Sequence, residues 1–132
     1  MTEPAYTAEH AQLYPSEYLR GIELFNAGHY YECHEVLEDI WVTACGQEKL
    51  FYQGLIMAAV ALYDYEVERF GAARTMHRKA KERLAQLPDQ FMSLDVKAFI
   101  EQLDAFFAFT VEEARAGRHR PPRQPRIQLC QL

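Results

Sequence analysis

His34 and Glu38 stand four positions apart in GHYYECHEVLEDIW, residues 28–41. On a helix that spacing stacks two side chains one turn above each other. An imidazole and a carboxylate so placed suit three kinds of chemistry. They can ligate one zinc, manganese or iron ion together. They can exchange a proton as a general acid–base pair. They can also bond to each other and lock two helices in register. HEVLE is similar to the zinc-protease pattern H-E-x-x-H, but Glu38 stands where the second histidine would be. Two ligands make a poor site, and Gln53, Asp64, Glu66 and His77 are the residues that could complete one. In the hydrolase reading His34 and Glu38 hold a divalent metal ion, the one cofactor the chain suggests, and Glu35 supports them or serves as general base. In the structural reading Glu38 is buried and pairs across the bundle with Lys79 or Arg78, because an unpaired buried carboxylate is costly. The structural reading leads: His34, Glu35, Glu38, Trp41, Gln53 and Lys79 form a polar cluster that organises the core. Whether the chain is an enzyme is left open.

Other catalytic patterns are missing. Ser16 and Ser93 read as helix caps. Cys33 and His34 are sequence neighbours and point about 100° apart on a helix. There is no glycine-rich phosphate loop. The tyrosines at 30, 31, 52, 63 and 65 read as core residues with a hydroxyl at the rim.

The elements that would hold these residues follow from apolar spacing. A loose arm spans residues 1–13. Pro15-Ser16 starts a helix carrying Leu19, Ile22 and Phe25 inward, and Gly28 closes it. A second helix runs from about Tyr30 to Cys45, its inner face made of Tyr30, Leu37, Trp41 and Cys45 with His34 among them. Ile40 falls off that stripe and suggests a second contact surface. A third, from about Glu48 to Glu68, is apolar all round between Leu50 and Tyr63, as a fully buried central helix would be. There Gly54, Ala58, Ala59 and Ala61 allow close approach. A fourth spans about Gly71 to Gln86, and a fifth about Ser93 to Ala116, closed by Gly117. Residues 118–132 form an extended proline- and arginine-rich tail. The expected fold is therefore all-α: a single compact bundle of about five helices over residues 14–117. A faint repeat pairs His34 with His77, 43 positions on, each after a glycine turn, at Gly28 and Gly71. It resembles the paired hairpins of tetratricopeptide-like modules.

Charge is unevenly spread. Residues 1–113 hold nine Lys/Arg against 19 Asp/Glu, whereas residues 114–132 hold five arginines and no acid. An acidic body argues against nonspecific nucleic-acid binding. The tail either lies on that body or meets a partner. Three scattered cysteines and a start that is neither basic nor apolar point to a cytoplasmic protein. The 14-residue apolar run is too short for a membrane span of roughly 20 residues. A protein partner or a homo-oligomer is expected; nucleic acid and membrane are not.

LFNAGHYYECHEVLEDIW, followed by YQGLIMAAVALY and GAARTMHRKAKERL, resembles the bacterial and archaeal family known as domain of unknown function 309. The resemblance rests on His34, Glu38 and Trp41, spaced as in the family motif, and on Gln53 to Ile56. It covers about residues 18–87 and extends to the PPRQPRIQL tail; Cys33, often alanine in relatives, departs from it. The resemblance implies a small all-α bundle and a metal-binding role for the motif. It implies no substrate.

Overall fold

The computed structural model describes residues 3–109, 111–117 and 123–132. The chain is mostly helical. Helices α1 (Ala8–Leu13), α2 (Ser16–Asn26), α3 (Tyr30–Trp41), α4 (Gly46–Glu66) and α5 (Phe70–Leu84) precede a short hairpin, β1 (Gln90–Phe91) and β2 (Leu94–Asp95). Helices α6 (Val96–Phe107) and α7 (Val111–Ala116) follow. The fifth helix of the sequence reading is thus two, α6 and α7, and an all-α description overlooks the hairpin.

Helix α4 is the middle of the stack, packed most extensively on α5 and next on α3, which in turn packs on α2. Phe51, Tyr52, Leu55, Ala58, Ala59, Ala61 and Leu62 are buried along it. Its composition leads to the expectation of burial all round, and that expectation is corrected. Gln53, Ile56, Met57, Val60 and Tyr63 are only half-buried. Two flanking helices cover two sides of a cylinder, and an edge is left over. Close approach depends on Gly54, where a Cβ would lie 2.6 Å from Leu84 Cδ2, and on Gly21 of α2, where it would lie 2.7 Å from Leu37 Cδ2.

The two helical hairpins, α2–α3 and α4–α5, share one turn. Gly28 (φ 82°) and Glu68 (φ 63°) are left-handed, and the residues after them match closely: His29 at φ −87°, ψ 65° and Arg69 at φ −90°, ψ 68°. The hydrogen bonds match too, His29 N–H to Leu24 O at 2.9 Å and Arg69 N–H to Asp64 O at 2.8 Å. The repeat is therefore real at the turn, but its offset is 40 residues, from Gly28 to Glu68, rather than 43. Gly71 is not the turn residue; it lies inside α5. A glutamate in the left-handed region gives no sequence signal, so the sequence points to the nearby glycine instead.

The β-hairpin escapes the sequence reading for a similar reason. Its two-residue turn, Met92 (φ 47°) and Ser93 (φ 64°), has the all-positive φ of a type I′ turn without glycine or asparagine. Tertiary bonds hold it: Tyr18 Oη donates to Met92 O at 3.1 Å, and Tyr14 Oη and Ser93 Oγ share a bond at 2.6 Å. Ser93 is thus a turn residue, while Asp95 caps α6 by accepting from Ala98 N–H at 2.9 Å.

The supposed loose arm contains α1, capped by a reciprocal Thr7–His10 box. The C-terminal segment lies on the body, one of the two readings its charge allows, with Ile127 1% and Leu129 6% exposed. Residues 118–122 of that tail lie outside the described residues.

Candidate functional site

Helix α3 sets the site. Its buried residues are Tyr30, Cys33, Leu37 and Ile40, a 3-4-3 spacing that faces α2 and α4 together. The expected inner face ran through Tyr30, His34, Leu37, Trp41 and Cys45. The real one is rotated toward Cys33 and Ile40, the second contact surface that Ile40 suggested. At about 100° per residue, His34 then falls at the edge of the buried arc and Glu38 well beyond it.

The exposures agree. The His34 side chain is 16% exposed and that of Glu38 is 52% exposed. Glu35 is also exposed; Trp41, Gln53 and Lys79 are half-buried. The expectation of a buried His34–Glu38–Trp41 cluster organising the core is therefore corrected. His34 Nδ1–H donates to the carbonyl of Tyr31, one turn back. With Nδ1 turned to that carbonyl, Nε2 is the ring nitrogen that points away from it. Nε2 lies 3.6 Å from Glu38 Oε1, an ion-pair distance when the ring is protonated and too long for a hydrogen bond. Among the described residues Glu38 makes no ion pair or hydrogen bond with Lys79 or Arg78, and Gln53 makes no hydrogen bond to either motif residue. Arg78 instead pairs with Glu82 at 3.2 Å. Trp41 has Lys49 Nζ 4.7 Å from its ring centre, and its buried indole Nε1 has no partner among the described residues.

His34 faces a small cavity of about 180 Å³ between α3, α4 and the turn after α4. Tyr31, Val60, Tyr63, Asp64 and Arg69 complete its lining. Tyr31 packs edge-on to His34, with centroids 4.7 Å apart, and against Tyr63 at 5.4 Å. Asp64 is 6% exposed, and its carboxylate faces Arg69 Nη1 at 4.0 Å. A buried aspartate within an apolar helix is the signal in the sequence; nothing there marks Tyr31 or Arg69, because the turn that brings them in rests on Glu68.

The residues do not fit a metal. Among the described residues no three His, Cys, Asp or Glu side chains converge, so His34 and Glu38 lack a third ligand from this chain. Of the candidates proposed to complete a site, His77 is engaged elsewhere: its Nε2 meets Asp104 Oδ1 at 2.9 Å and its ring stacks on Phe107. Lys81 Nζ donates to Asp104 Oδ2 at 2.8 Å. Burial would raise the Asp104 carboxyl, but the hydrogen bonds from Lys81 and His77 outweigh it and hold the group below its usual range. Burial pushes the Cys33 thiol up to about 12, so it carries no thiolate at neutral pH. The Cys33 thiol is also turned into the core, donating to Gly21 O at 3.2 Å, away from the half-buried His34.

Comparison with known proteins agrees with the motif. The family described as domain of unknown function (DUF309) matches residues 18–76, which hold most of α2, all of α3 and α4, and the first half of α5. The chain belongs to this family. The DUF309 segment includes every residue lining the His34 cavity and leaves out α6, the β-hairpin and the C-terminal segment. An uncharacterized protein of Aquifex aeolicus (strain VF5) is 30% identical over 83 residues, 60% of this chain and 25% of that protein. The match thus spans about a quarter of that relative's length. A crystal structure of a conserved hypothetical protein from Thermus thermophilus is similar at 35% identity and a TM-score of 0.63, covering 72% of this chain and 98% of that one. Among the described residues no helix is long and apolar enough to cross a membrane.

Proposed function

We propose that this DUF309 chain is a binding module, and that the His34 cavity takes a small cationic group such as an alkylammonium or guanidinium presented by a partner. One observation carries the reading. Asp64, itself buried, is in the lining of a cavity walled by two tyrosine rings, and among the described residues its carboxylate faces only Arg69, at 4.0 Å. Aromatic faces and a desolvated carboxylate together favour a cation over a neutral ligand. Tyr31, 52% exposed, would lead the ligand in. Helix α3 adds Glu32, Glu35, Glu38 and Asp39 on its exposed side, a field that attracts cations. In this reading His34 is a wall and a hydrogen-bonding group rather than an acid–base catalyst. The proposed unit is the bundle of about residues 14–117 with both terminal segments folded onto it. The three free cysteines support a reducing, cytoplasmic setting.

Titration of the full chain with tetramethylammonium chloride, followed by NMR of the tyrosine and histidine rings, tests it. Saturable shifts of Tyr31, His34 and Tyr63 at about millimolar concentration are expected, absent with equal sodium chloride. In Asp64→Asn the shifts should weaken by about tenfold. No saturable shift, or equal shifts in Asp64→Asn, defeats the reading.

A further inference from the structure

Residues 125–129 lie on the body as an extended peptide. Pro125, Ile127 and Leu129 are buried, and Arg126, Gln128 and Cys130 between and after them are half-buried. That is the two-residue period of a chain with one side in a groove. Its backbone is held by the rest of the molecule. Asn26, the last residue of α2, grips Ile127 twice: its amide Nδ2–H donates to Ile127 O at 2.8 Å, and its Oδ1 accepts from Ile127 N–H at 2.8 Å. Gln102 of α6 grips Arg126 the same way, accepting from its N–H at 2.8 Å and donating to its carbonyl at 3.3 Å. Leu129 N–H donates to Ala5 O at 2.8 Å and Cys130 N–H to Ser93 O at 2.7 Å. His10, itself 1% exposed, donates from Nε2 to Cys130 O at 2.8 Å, while its Nδ1 accepts from Thr7 N–H.

Two side-chain amides imitate the edge of a sheet, and pockets take every second side chain. This is the logic by which proteins bind extended peptides: main-chain bonds supply affinity and alternate pockets supply specificity. The polar side-chain contacts are fewer. Gln128 reaches Glu3 Oε2 at 2.6 Å and Arg126 Nη2 reaches Glu3 O at 2.9 Å, while Arg126 Nε is buried without a partner among the described residues. None of these bonds depends on which chain the peptide belongs to.

We propose that α1, α2, the β1–β2 turn and α6 form a peptide-binding groove whose occupant in cis is Pro125–Cys130, and that the same segment of a second copy enters it in trans. Two chains then join by exchanging C-terminal segments, a route to dimers that needs no new interface. A second copy is the occupant the molecule specifies, because it brings the Pro-x-Ile-x-Leu side chains that the pockets already fit.

A complementation experiment on full-length chains tests this. One variant, Asn26→Ala with Gln102→Ala, keeps the peptide and loses the groove. The other, Ile127→Asp with Leu129→Asp, keeps the groove and loses the peptide. Each alone should be monomeric by light scattering, and an equimolar mixture should give a one-to-one dimer. A mixture that stays monomeric while both variants keep their helical circular dichroism overturns the proposal. A second measurement does not depend on the variants folding: native-state hydrogen exchange of the unaltered chain. Amides of Ile127, Leu129 and Cys130 should exchange at least about tenfold faster than those of Leu55 to Leu62, reporting detachment of the segment alone. Exchange of both sets in one global event overturns it, since the segment would then be core and not ligand.

Discussion

Gly28 and Glu68 hold the same left-handed place in two successive helical hairpins, at φ 82° and 63°, and only one of them is a glycine. The fold repeats its turn without repeating the residue that best fits it. Glu68→Gly should therefore stabilise the chain by up to about 1 kcal/mol, the strain of a side chain in that region less the entropy that glycine loses on folding. Gly28→Ala should destabilise it by about 1 kcal/mol or more for the converse reason. Urea midpoints of the two variants check both signs.

Gly54 admits Leu84 into contact with α4. A methyl there would lie 2.6 Å from Leu84 Cδ2, where real contacts do not occur, although a leucine end can turn aside. Gly54→Ala should cost about 1–3 kcal/mol, as overpacking of a core does. An exposed control without neighbours, Gly71→Ala inside α5, should instead stabilise by a few tenths up to about 1 kcal/mol. Thermal melts of the pair separate packing from helix propensity.

Glu38→Gln should change stability by less than about 0.5 kcal/mol, because the carboxylate is exposed and its partner distance is long. A buried Glu38 would have made this one of the most damaging substitutions in the chain, so denaturant titration of the single variant decides which face of α3 points inward.

Asp104 joins α5 to α6 through His77 and Lys81. Its carboxyl is held below the usual value in the folded state. The stabilisation is therefore present above the unfolded carboxylate value, near about pH 4, and is lost as pH falls through the lower folded value. Asp104→Asn should lower the melting temperature at neutral pH and converge on the unaltered protein once the pH has fallen through the lowered folded value. The group is partly exposed, so the loss should be small, under about 1 kcal/mol.

Cys45 is exposed, Cys130 half-buried and Cys33 fully buried with its thiol raised to about 12. An aromatic disulfide reagent should therefore modify Cys45 first and Cys130 next. Cys33 should react only at the rate of global unfolding. Rapid modification of Cys33 in native buffer would place it outside the core.

Much of the scaffold was legible along the chain. Pro15 and Gly28 punctuate the helices where they do because the physics is local: one residue's fixed φ, another's freedom to turn left-handed. The apolar run of residues 50–63 marked the central helix because its neighbours demand apolar surface on most sides. The candidate site was legible only to the level of its motif. His34 and Glu38 are one turn apart, and that is local as well. Which way the turn faces is not local. Cys33 and Ile40 suit an inward face as well as Trp41 does, and α2 and α4, arriving from both sides, choose the former pair.

Sequence alone thus determined that the chain is mostly helical, where its main breaks fall, and that it carries the DUF309 motif in α3. Tertiary structure decided the rest. It turned Glu38 to solvent, placed Tyr31, Tyr63, Asp64 and Arg69 around His34, and laid Ile127 against Asn26, 101 positions earlier. Hydrogen bonds within a turn are set by neighbours along the chain, whereas the burial of a helix face is set by whichever distant elements pack on it. Those partners are specified by the whole pattern of side-chain volumes and not by any stretch of it.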